Sequence, residues 1–253
     1  MRLLAALLLL IAALPARAEE VVMGLSRTNV SITTDFDGSD ILIFGAVKRE
    51  AAIQRDPPLQ VIVTVEGPLE PVTVWRKARK LGIWVNAEAV EIDSAPSFYA
   101  VATSAPWNET ISAVEDLRHE VSIPRAIRSV GAPMDIMDSE AFTEALIRVR
   151  ERQGLYRVEE DSVELRDSTL FDTSISMPAN ISEGRYLTRV LLTRGGKVVA
   201  EHDSEIQVGK VGLERWLFTL SRQMPLAYGL LSLAIAAIAG WGASAAFRAI
   251  RSG

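Results

Sequence analysis

Cysteine is absent from this chain, and histidine occurs only twice, at His119 and His202. Without thiols there can be no disulfide, thiolate zinc site, iron–sulfur cluster, cysteine nucleophile or lipidated cysteine. Two histidines, far apart in sequence, argue against a multi-histidine metal centre. The sequence contains neither a Gly-x-Ser-x-Gly nucleophile elbow nor a glycine-rich phosphate loop. Positive charge is also scarce. There are 27 Lys and Arg against 32 Asp and Glu, a net charge of -5, which is the wrong sign for a nucleic-acid binder. What is present is 253 residues at 49% hydrophobic, enough to bury a core and too apolar for a disordered tail.

The two ends set an expected topology. Arg2, the apolar run Leu3 to Leu14 and Ala16-Arg17-Ala18 have the pattern of a secretory signal over 1–18, cleaved before Glu19. Its 12 apolar residues reach roughly 18 Å as a helix, short of a hydrocarbon core of about 30 Å. Leu226 to Phe247 is different: 22 residues without a charge, about 33 Å of helix and long enough to span. Tyr228 and Trp241 suit membrane interfaces, and Arg248 and Arg251 suit the cytoplasmic side. The expectation is a single-pass protein of the bacterial inner membrane. Its bulk lies in the periplasm, the membrane helix is 226–247 and the cytoplasmic tail is 248–253. Every acidic residue then falls in the exported part, which keeps 23 basic residues against 32 acidic ones, a balance of -9.

Between the ends, the patterning is mainly β. The 19–106 region shows short alternating or β-branched runs (Asn29 to Thr33, Ile41 to Val47, Leu59 to Val65, Val72 to Trp75, Ser97 to Val101) separated by turn residues. The 107–154 region turns helical. A short helix over Thr110 to Glu120 would carry Ile111, Val114 and Leu117 on one side. A longer one would be capped by Asp138, with Phe142, Ala145, Leu146 and Val149 as its stripe and Gly154 as its stop. These narrow stripes predict packing on a sheet rather than a separate domain. In 155–209 strands resume, with Gly195-Gly196 as a hairpin turn and Tyr186 placed to tie down a corner as in immunoglobulin-like domains. The predicted fold is therefore one or more immunoglobulin-like β-sandwich regions with a short helical insertion, plus one C-terminal transmembrane helix. In 210–225, Leu213, Trp216, Leu217, Leu220 and Met224 share one helical face, which predicts an amphipathic juxtamembrane helix. Pro225 would begin the membrane helix or kink a continuous one.

Several of these stretches resemble an uncharacterised alphaproteobacterial family of transmembrane proteins. The residues that carry the resemblance are Glu19-Glu20-Val21-Val22, Val30 to Ile43 with its Asp-rich turn, Gly45-Ala46, Trp75-Arg76-Lys77, and the span after Trp216. The resemblance covers nearly all of the mature chain. It implies a partnership with a sulfite-exporter-like permease and assigns no residue a role.

Three groups of residues are candidates for function. Trp75, Arg76, Lys77, Arg79 and Lys80 set four cations beside an indole in an acidic region, suited to an anion or an acidic partner or, more blandly, to a charge-protected edge strand. Ser232, Ala236, Gly240 and Ser244 recur every four residues in the span, as small residues do where membrane helices pack. Asp35, Asp37 and Asp40 offer carboxylates to a cation, although their spacing equally suits a polar hairpin connection between Ile32 and Ile41. His119 and His202 read as exposed structural residues. The expected function is a non-enzymatic, membrane-anchored accessory or assembly protein of a membrane complex, in contact with the lipid bilayer, with no cofactor or resident metal and no nucleic acid. The alternative is a periplasmic solute-, anion- or metal-binding module.

Overall fold

The computed structural model describes residues 19–33, 36–49, 53–129, 138–210 and 213–251. The expected signal segment and Asp35 lie outside these residues. The chain divides into two units, 1–30 with 37–208, and 31–36 with 209–253.

The first unit is mostly β. A four-stranded sheet runs in the order β1 (Glu19–Leu25), β3 (Gly38–Arg49), β10 (Leu170–Pro178), β9 (Glu164–Arg166). A six-stranded sheet runs β2 (Asn29–Ile32), β12 (Lys197–Lys210), β11 (Gly184–Arg194), β4 (Leu59–Glu66), β7 (Tyr99–Thr103), β8 (Tyr156–Glu159). Strands from 19–106 and from 155–209 thus alternate within both sheets. Pairing is antiparallel except between β7 and β8, which are parallel because the helical segment carries the chain across between them.

Alternation builds the core. Val21, Ile41, Ile43, Val47, Phe171 and Ile175 of the four-stranded sheet are buried, as are Val61, Val63, Val65, Val190 and Leu192 of the six-stranded one. Phe171 lies so close over Gly45 that a Cβ there would come within 2.4 Å of its ring. The near-continuous apolar run of β4 is buried on both faces, because a helical segment covers the outer side of its sheet. That segment comprises α1 (Trp107–Thr110), α2 (Ala113–His119) and α3 (Ile123–Ala126). Thr193 Oγ1 donates to the carbonyl of Thr110, and Tyr99 Oη to that of Val121 at 2.9 Å. Gly195-Gly196 makes the β11–β12 turn with both φ positive, as expected.

Two expectations change. Val114 and Leu117 are exposed, and the buried residue of α2 is Glu115. Its carboxylate accepts the Val198 N–H at 3.2 Å, so the helix docks on β12 through a hydrogen bond rather than an apolar stripe. The connection through Asp37-Gly38 is not a hairpin either, since β2 and β3 belong to different sheets and the chain crosses from one to the other.

The hairpin β5 (Leu69–Lys80) and β6 (Ile83–Pro96) forms a two-stranded sheet of its own. Helix α4 (Ser139–Arg152) packs on one face with Phe142 and Leu146 buried, and ends at Gly154 with φ +71°. In the second unit, α5 (Leu213–Gln223) leads into α6 (Pro225–Arg251). Pro225 begins α6, where its missing N–H costs nothing, while Met224 N–H still bonds to Leu220 and Tyr228 N–H to Met224.

Candidate functional site

The basic run lies along the outer half of β5, and pleating divides it between two faces. Arg76 turns toward α4. There it meets Glu88 at 2.9 Å and Asp138 at 2.6 Å, and its guanidinium sits 4.5 Å over the Phe142 ring. The hydrogen bond from Arg76 holds the Asp138 carboxyl below the usual carboxylate range. Asp138 was expected to cap α4 but makes no side-chain cap bond, because Arg76 takes its carboxylate. Arg76 is therefore a structural clamp.

Trp75, Lys77 and Arg79 point the other way, with Trp84 directly across from Arg79. Cross-strand neighbours share a face, so two indoles flank two cations on the side that α4 leaves open. Lys80 pairs with Ile83 at the tip. Lys77, Arg79 and Lys80 have no carboxylate within ion-pair distance among the described residues. The four cations thus do not converge on one anion pocket; three of them belong to an exposed ribbon end. Leu81 and Gly82 close the ribbon, both with positive φ. Strand β6 escaped the sequence reading, although Leu81-Gly82 followed by alternation through Ile92 was the available signal.

His119 is less exposed than expected. Its Nδ1 lies 3.2 Å from Glu201 and its Nε2 3.7 Å from Glu115, so it stitches α2 to β12. Arg189 completes this corner by donating to the His119 carbonyl at 2.9 Å. His202 lies on β12 opposite Val190. No group of three or more metal-ligating side chains occurs among the described residues, and Asp37 and Asp40 gain no partner of that kind.

Sequence reasoning missed a buried ionic triad. Glu19 Oε1 accepts from Arg49 Nε at 2.9 Å and from Arg194 Nη2 at 2.7 Å, with all three side chains at 8–9% exposure. It joins β1 and β3 of one sheet to β11 of the other.

In α6, Pro225–Ser244 is long and apolar enough to cross a bilayer, and none of it is buried within the chain. The Ser232 hydroxyl donates back to the Tyr228 carbonyl at 2.9 Å, and Gly240 has open space where a side chain would stand. Ala236 and Ser244 continue this stripe, still unburied. The family described as Putative transmembrane protein (Alph_Pro_TM) matches residues 20–249. The chain belongs to that family. The match takes in the β head, the hairpin and almost all of α6, so head and membrane helix together make up the Alph_Pro_TM unit. No curated protein matches the chain.

Proposed function

We propose that this Alph_Pro_TM protein is a non-enzymatic accessory or assembly subunit of an inner-membrane complex. It carries its β head in the periplasm and is anchored by α6. The observation that carries this reading is α6 itself, an uncharged helix of spanning length with none of its spanning stretch buried in the chain. The signal-like N-terminus and the arginines Arg248 and Arg251 support the direction of threading. The head supports a contact role rather than chemistry: its histidines and most of its buried charges are engaged in pairs that hold the fold.

The stripe Ser232, Ala236, Gly240 and Ser244 would let a partner helix approach closely, and a permease of the sulfite-exporter kind is the partner the family resemblance suggests. The test is purification from native membranes in mild detergent with crosslinking. An integral membrane protein should co-purify and be lost when the four stripe residues are replaced by leucine. Recovery of the protein alone under every condition would overturn the proposal.

A further inference from the structure

The end of the β5–β6 hairpin has a composition that its own fold does not use. From Lys77 to Asn86 there are three cations, Lys77, Arg79 and Lys80, and no acidic residue, in an exported region whose balance is -9. The same ten residues expose large apolar groups: Leu81 at 105%, Ile83 at 64% and Trp84 at 69%. Trp75, further down the same face, is 54% exposed. Helix α4 packs nearer the base of the ribbon and does not cover them, and exposed patches of this kind mark interaction surfaces.

The turn strengthens the point. A two-residue turn with both φ positive favours Asn-Gly or Gly-Gly. Here Leu81 occupies the first position at φ +50°, with its side chain wholly in solvent. A branched side chain in the left-handed region costs roughly 1–2 kcal/mol, and leaving leucine in water adds to the cost. Local stability would choose a different residue here, and such strain collects at functional elements.

We propose that this hairpin end docks on an anionic bilayer surface. Indoles settle at the level of lipid headgroups, and Leu81 and Ile83 can enter the acyl boundary. Lys77, Arg79 and Lys80 then meet lipid phosphates, with each basic residue beside an anionic leaflet giving about a five-fold gain in occupancy. The positive tip in a negative head means that only this part of the surface is attracted to such a leaflet at close range. A chain anchored by α6 also keeps a bilayer at high effective concentration, so weak contacts suffice. This inference rests on the membrane-anchored reading above and names what the exposed ribbon of the head touches.

The absence of cysteine makes the test clean. The full chain carrying Ile83→Cys, labelled with an environment-sensitive fluorophore, is reconstituted in nanodiscs of phosphatidylcholine with or without phosphatidylglycerol. With phosphatidylglycerol the emission should shift to the blue and be quenched by shallow doxyl-labelled lipid. High salt should reverse both effects. Replacing Lys77, Arg79 and Lys80 by glutamine should cut the ratio of docked to free head on the order of 100-fold. The same label at Leu117→Cys, on exposed α2, should stay water-like. Identical spectra in both lipids would overturn the proposal. So would shielding without lipid quenching, which would mean that protein covers the tip, or equal quenching at both label sites. A chain that fails to enter nanodiscs at all would instead refute the anchor.

Discussion

Glu19 is held by two arginines that lie 30 and 175 residues further along the chain. Replacing it with glutamine leaves two buried guanidinium groups short of a counter-charge, and such losses cost about 3–5 kcal/mol. Urea unfolding of Glu19→Gln in detergent should show that drop, with little change in slope. Glu66 makes a prediction of opposite sign. Burial pushes its carboxyl above the ordinary 4.5, with Arg189 pulling it down and Glu120 pushing it up. The native state therefore binds the extra proton over the interval between the two values, and stability falls as pH rises through it. Glu66→Gln should melt higher than wild type at neutral pH, and the two curves should converge below about pH 4.5. Tyr186 ties the corner before β11 by donating to the Ser182 carbonyl at 2.7 Å, and burial raises its hydroxyl pKa to about 12. Tyr186→Phe should cost about 1 kcal/mol in the same unfolding measurement. The tyrosine corner was legible in the sequence, because it is local. The Glu19 triad was not, because an acidic residue at a strand start says nothing about partners so far along the chain.

Among the elements, those set by short-range chemistry were legible: the β11–β12 turn at Gly195-Gly196, the stop of α4 at Gly154 and the start of α6 at Pro225. Those that depend on tertiary partners were misjudged. The α2 stripe is the clearest case, since a buried Glu115 that caps an edge N–H displaced the apolar pair expected to pack. The hairpin was half seen: its basic strand was noticed, its return strand was not, and so the division of the run into a clamp and an exposed ribbon could not be drawn. Arg76→Gln should loosen that clamp. An exposed ion pair and a cation–π contact are together worth roughly 1–2 kcal/mol, so amide exchange in β5 and β6 should quicken about ten-fold relative to β4. Equal protection in wild type and variant would show that α4 packing alone holds the ribbon.

For the molecule as a whole, composition and patterning gave the class: mainly β, with a short helical segment and one apolar C-terminal helix. They left open whether the two β regions were separate lobes. The sheets answer this, since each draws strands from both regions, a long-range pairing that no local pattern encodes. Nothing in the sequence fixed that order, because register and strand neighbours depend on which apolar faces meet after collapse. Membrane attachment was the most legible property, as spanning length is a matter of counting residues. The most direct test of the whole account is thiol labelling in intact spheroplasts, with Leu117→Cys in the head and Ser252→Cys in the tail. A membrane-impermeant maleimide should label the head variant at once and the tail variant only after lysis. Labelling of the tail from outside, or of neither site until lysis, would contradict a periplasmic head held by a single membrane helix.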